Sequence, residues 1–182
     1  MTLTRPVPTG ATRSFGAEEI IVSKTDTRGH ITYANDVFVR VSGYSEAELI
    51  GAPHSILRHP DMPRAVFSYL WETIAAGREV FAYVLNLAAD GAAYWVLAHI
   101  TATWDASGRI VGYHSNRRWP SPAGVAAVAP MYARLREAER RESSARAQVA
   151  AGRAALDAAL AELGMGYDEL VWSVINSAER AA

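Results

Sequence analysis

The residues best placed to do chemistry lie in one stretch, Pro53-His54-Ser55-Ile56-Leu57-Arg58-His59-Pro60-Asp61-Met62-Pro63. Two histidines, an arginine and an aspartate fall there among three prolines, directly ahead of an apolar helical run. Proline fixes φ, lacks an amide donor and restricts the residue before it, so this segment is a stiff, non-repetitive turn. Imidazole and guanidinium groups on such a turn can hold a polar or anionic ligand against the start of a helix. The plainer reading is a helix start, with Asp61 as cap, Pro63 at the first helical position and Arg58 paired with Asp61.

A second polar set interrupts apolar strands: Asn86, His99, His114 and Asn116. Side chains alternate across a sheet, so each of these faces solvent or projects a hydrogen-bonding group inward. Asn86 sits among Tyr83, Val84, Leu85 and Leu87, which read as buried on both faces, and a buried amide needs partners. Trp71 recurs with Val66, Phe67, Leu70 and Ile74 at helical spacing; it is either core or a flat wall over a ligand ring.

The elements that must carry these groups follow from local pattern. Residues 1–17 mix Thr, Pro, Gly and Arg without period and read as a mobile leader. The β-type run Glu19–Asp26, carrying Ile20, Ile21 and Val22, and the run Ile31–Ala34 flank the turn Thr27-Arg28-Gly29 as a hairpin. Asn35-Asp36 opens a short helix with Phe38 and Val41, broken at Ser42-Gly43-Tyr44. Ser45–Glu48 is a capping box, and Gly51 ends that second helix. A third helix runs to Gly77. Val80–Leu87, Ala93–Trp104 and Arg109–Arg118 then form a meander, with turns at Asp90-Gly91 and Asp105–Gly108. The order predicts an α+β domain: a curved antiparallel sheet with helices on one face and a cavity between them.

After Pro120 and Pro122 the composition shifts to Ala, Arg and Glu. Pro130 interrupts an early helical turn, Met131–Leu163 reads as one long helix, and Gly164-Met165-Gly166 separates it from a short amphipathic helix over Tyr167–Ala178. A heptad frame puts Leu135, Val149, Leu156 and Leu163 in register, though Glu142 at a core position and small partners make a weak seam. This tail packs on the domain or pairs with a second copy, and pairing is the expectation. The chain divides into residues 1–17, a domain over 18–120, and a helical extension over 121–182 for dimerisation and output.

Composition narrows the function classes. Eighteen basic and nineteen acidic side chains leave a formal charge of −1, which offers no electrostatic case for nucleic acid or an anionic membrane. The absence of cysteine removes disulfides, thiolate catalysis and cysteine-based zinc sites. No apolar run is long enough to cross a membrane and no signal-peptide layout opens the chain, so a cytoplasmic protein is the default expectation. No Gly-rich phosphate loop, nucleophile elbow or paired-His metal motif occurs, and no nucleophile stands beside a base; an enzyme is not expected.

Ile31-Thr32-Tyr33-Ala34-Asn35-Asp36-Val37-Phe38, Val41-Ser42-Gly43-Tyr44, Arg58–Pro63 and Tyr94-Trp95-Val96 together closely resemble the FAD-binding PAS domains of the aerotaxis-receptor family, over Glu19 to Arg136. The resemblance implies the PAS fold, a five-stranded antiparallel sheet with helices on one face, here followed by the helical extension. It implies FAD as cofactor, with Asn35, Arg58, His59, Asp61, Trp71 and Asn86 at positions implicated in binding it. The flavin would act as a redox or oxygen reporter, its state passed to a chemotaxis or other signalling partner, in a homodimer formed through the C-terminal helix. The chain departs from the family at Val80-Phe81, where a Trp is usual, and at Leu85 and Leu87-Ala88, which replace basic residues. The alternatives are haem held through His99, His59 or His114, or a cofactor-free interaction module.

Overall fold

A computed structural model describes residues 6–180. The element order begins with β1 (Ile21–Thr25) and β2 (Ile31–Ala34), then α1 (Asp36–Ser42) and α2 (Glu46–Leu49). A 3-10 turn over His54–Leu57 leads into α3 (Arg64–Ala75), and β3 (Val80–Leu87), β4 (Ala93–Trp104) and β5 (Ile110–Arg118) complete the domain. The five strands form one antiparallel sheet in the order β2-β1-β5-β4-β3.

Local chemistry sets the first elements. Asn35 caps α1: its Oδ1 accepts from the Phe38 and Val22 amides while its Nδ2 donates to the Ile20 carbonyl, tying the helix start to β1. Ser45 and Glu48 form the reciprocal capping box expected at α2. β3 is buried on both faces and lies at a sheet edge, where it pairs only with β4 in the ladder. Its other edge is covered rather than open: Arg58 bridges Asn86 through the backbone, and the Leu85 amide points at the Met62 sulfur. Covering an edge in this way removes a template for pairing with other chains.

The C-terminal part departs from the expected layout. Met131–Leu163 is two helices, α4 (Pro122–Arg140) and α5 (Ala145–Leu163), because Ser144 caps α5 by accepting from the Ala147 amide. Pro130 lies inside α4 rather than ahead of it. The extension folds back on its own domain. From α4, the Tyr132 hydroxyl donates to the Tyr83 carbonyl, and Gly124 lies so close to the Tyr83 ring that a Cβ would meet its hydroxyl at 2.4 Å. From α6 (Tyr167–Arg180), Trp172 packs on Phe81 and Tyr167 on Tyr69 of α3. Leu135 and Leu156, expected in a seam with a second copy, are fully buried in the same core as Phe38 and Leu70. Helices thus cover both faces of the sheet.

The leader is held as well. The Thr9 amide donates to the Gly91 carbonyl, Ala11 and Arg13 exchange backbone bonds with Ala93, and Phe15 buries its ring edge-on to Trp119. Arg13 also pairs with Asp90 and donates to the Val41 carbonyl. Residues 1–5 of the expected mobile leader lie outside the described residues.

Candidate ligand-binding site

Arg64, Phe67, Ser68 and Trp71 recur at three- and four-residue steps and form one face of α3. That face looks onto a cavity of about 390 Å³, within the range of small-molecule sites. The Arg28-Gly29 turn, Pro53-His54-Ser55, Arg58 and Asn86 make the other walls, and Val149 of α5 contributes from the extension. A smaller hollow of about 60 Å³ lies toward the sheet, lined by Ser23, Thr25, Tyr113 and Ser115; it shares His54, Phe67 and Trp71 with the first.

Two aromatic side chains are fixed in place here. The Arg58 guanidinium lies over the Phe67 ring, 4.5 Å from its centroid. Trp71 meets Tyr113 edge-on at 5.5 Å and covers Gly29, where a Cβ would stand 2.8 Å from the indole. Gly29 has φ +81°, so the turn needs glycine both for its backbone and for this contact.

Asn86 is 3% exposed, lines the cavity, and its Nδ2 has no hydrogen-bond partner. A buried, unpaired amide costs about 1–3 kcal/mol, so an acceptor supplied by a ligand would be strongly favoured at this atom.

Behind His54 stands Arg117, on β5 and 2% exposed. Its guanidinium donates to the Ser23 hydroxyl and, at 3.4 Å, to His54 Nε2, and it stacks on the Phe38 ring at 4.3 Å. Its Nε has no partner. Burial pushes its pKa down to about 10. Burial, and secondarily the Arg117 charge, push His54 down to about 3. His54 is therefore neutral near pH 7, with Nε2 as acceptor and its proton on Nδ1.

The residues singled out from sequence separate into two groups. Arg58, Trp71 and Asn86 line the cavity. Asn35 does not; its amide is fully engaged in capping α1. His59 is buried outside the cavity, its Nδ1 accepting from the Asp61 amide at 3.0 Å. Asp61 is exposed and pairs with Arg136 at 2.5 Å and Arg140 at 3.6 Å. It does not cap α3: Glu139 of α4 takes the Arg64 and Ala65 amides instead, at 3.0 and 2.8 Å.

The histidines proposed for haem are also placed elsewhere. His99 pairs with Glu79 and stacks on Phe81 at 4.1 Å, His114 pairs with Asn116, and neither they nor His59 line either hollow. No group of three or more His, Asp or Glu able to hold a metal occurs among the described residues. No helix among them is long and apolar enough to cross a membrane.

Arg28, Arg64 and Arg117 went unnoticed in the sequence as site residues, and His54 is marked there only as a member of the Pro53–Pro63 turn. For Arg117 a signal existed: Tyr113, Ser115 and Arg117 share one strand face, and the first two point inward. The general rarity of buried arginine argues against reading the third that way.

The PAS fold family matches residues 31–117. The chain is 39% identical over 130 residues to the aerotaxis receptor of Escherichia coli, an alignment covering 71% of this chain and 26% of the receptor. The chain thus spans about a quarter of that relative's length. Among solved structures, the blue-light photoreceptor Aureochrome1 LOV in its light state superposes with a TM-score of 0.55 at 26% identity, over 60% of this chain and 88% of that one. A light-oxygen-voltage domain studied with a flavin analogue matches with a TM-score of 0.53 at 25% identity, over 61% and 83%.

Proposed function

The chain belongs to the PAS family, and on that premise we propose that it is a sensor module that binds a flavin, FAD, beneath α3 and passes its state to a signalling partner through α4–α6. The observation that carries the reading is the unpaired Asn86 Nδ2 in the cavity wall. An isoalloxazine ring offers carbonyl acceptors to such a donor, and Phe67 and Trp71 supply flat apolar walls. When bound, a flavin contributes reversible electron transfer, which changes the hydrogen bonds its ring asks of the protein. An aerotaxis receptor and a light-oxygen-voltage domain studied with a flavin analogue, both similar to this chain, support this assignment by analogy.

Output through the extension follows from what touches the site. α3 carries Phe67 and Trp71, and its first amides are bound by Glu139 of α4. β3 carries Asn86, and its Tyr83 carbonyl accepts from Tyr132 of α4. A shift in either wall is therefore felt by the helices outside the sheet. Leu135 and Leu156 bury themselves on this chain's own core, so the signal is assigned to release or repositioning of the extension toward a partner protein.

The visible spectrum of the purified protein tests the reading. Flavin absorption in wild type, lost in Asn86→Ala while circular dichroism stays unchanged, is the expected result. A haem Soret band, or a colourless protein that takes up no added flavin, would overturn it.

A further inference from the structure

One wall of the cavity comes from outside the PAS fold. Val149 lies on α5, whereas the family match ends at residue 117 and the other lining residues fall between Arg28 and Asn86. A heptad frame sets Val149 in register with Leu135 and Leu156, as if for a second copy. In the folded chain it is half-buried and borders the same space as Arg64, Phe67 and Ser68 of α3.

The hold of α5 on α3 is light. α5 buries Gly152, Leu156 and Ala159, small side chains except for Leu156, and apolar stabilisation scales with the area buried. At Gly152 a Cβ would stand 2.8 Å from the Ala65 Cβ, so the two helices touch through small surfaces. Next to it, Arg153 pairs with Glu72 of α3 at 3.2 Å and lies 5.2 Å from the Tyr69 ring centroid. Glu72 is exposed, and an exposed ion pair adds little. Non-helical residues join α5 to its neighbours at both ends, 141–144 before it and Gly164–Gly166 after it.

A lightly held helix that supplies a wall is tied to whatever fills the cavity. A ligand in contact with Val149 binds more tightly while α5 is docked. By linkage, the bound ligand favours the docked state by that same factor. We propose that α5 is a flap controlled by cavity occupancy, with Val149 as the side chain through which the ligand holds it: a filled cavity keeps α5 on α3, and an empty one releases it. This rests on the flavin reading and names the regulation of that site. The chain then reports whether the ligand is present, besides the ligand's redox state.

Native-state hydrogen exchange of the full-length chain, with and without saturating FAD, reads the opening of α5. Flavin fluorescence reads FAD affinity in wild type, Val149→Ala and Ala154→Pro. Ala154 is exposed on α5 and lines no part of the cavity, and proline there breaks the helix without touching α3 or α4. Exchange of the β4 and β5 amides checks that the domain of each variant stays folded. FAD is expected to slow exchange in α5 at least about fivefold. Val149→Ala should weaken FAD about threefold to tenfold through lost apolar contact. Ala154→Pro should weaken it by the factor by which FAD slows α5 exchange in wild type, because the two effects are one coupling. Should Ala154→Pro fail to fold, the wild-type exchange and the Val149→Ala affinity decide together. FAD that binds without slowing α5 exchange, or binds wild type and Val149→Ala equally, overturns the proposal and leaves the flavin reading intact. Wild type that binds no FAD overturns both.

Discussion

Glu139, in the last turns of α4, accepts the amide protons of Arg64 and Ala65 at the start of α3, with Oε2 at 3.0 Å and Oε1 at 2.8 Å. Helix N-termini leave four amides without an intrahelical partner and carry a partial positive charge, so a carboxylate serves them doubly. The contact joins the helix that walls the ligand cavity to the helix that leaves the domain.

Removal of this carboxylate is expected to destabilise the protein. Glu139 is 7% exposed, and Glu139→Ala leaves two amides in a buried setting without acceptors, at a cost of about 1–3 kcal/mol. Glu139→Gln keeps one acceptor oxygen and should cost less. Urea unfolding measures both; an unchanged midpoint for the alanine variant would show that α4 does not hold α3.

Gly152 of α5 gives a test in which sign alone decides. Glycine to alanine inside a helix normally gains about 1 kcal/mol. Here the new Cβ would stand 2.5 Å from Glu139 Oε1 and 2.8 Å from the Ala65 Cβ. Gly152→Ala is expected to lose about 1–2 kcal/mol instead, as overpacked sites do, and to speed protease cleavage in α5. A gain in stability would mean that α5 lies further from α3 than described.

Acid sensitivity should trace in part to His54. Its pKa is held at about 3 in the folded chain, against about 6.5 for an unperturbed histidine. Between those values the unfolded chain takes up a proton that the folded chain refuses, so stability is full above the upper value and falls as pH falls. The slope from this one group is at most about 1.4 kcal/mol per pH unit. His54→Phe keeps a ring beside Phe38 and removes the titration. The stability gap between wild type and variant should therefore move in the variant's favour from pH 7 to pH 4.5. Parallel loss in both would place the acid sensitivity elsewhere.

The turn beneath Trp71 is sensitive to one methyl group. Gly29→Ala places a side chain at φ +81° and 2.8 Å from the indole, at a cost of about 1–3 kcal/mol. It should shift Trp71 and weaken flavin retention in a spectrum of the purified variant. A variant with wild-type stability and full flavin content would show that Trp71 moves aside without consequence to the site.

What the sequence determined by itself is the short-range part. The Asn35 and Ser45 caps, the Gly29 turn, the meander and the two-sided burial of β3 each depend on neighbours a few residues away, where sterics and alternation act directly. Asn86 could be marked as a buried amide for the same reason. Tertiary structure decided which groups share a space. Asp61 carries every local sign of a cap for α3, yet Glu139 takes that role, because only packing sets which carboxylate reaches a helix end. Arg117 enters the interior although its charge argues for solvent, since Ser23, His54 and Phe38 arrive from three other elements to receive it. The break at Ser144 turns an expected partner-facing helix onto α3, where Val149 helps to wall the cavity. Which charges pair, and which groups from distant elements share a space, are long-range quantities, and no periodicity of 2 or 3.6 residues encodes them.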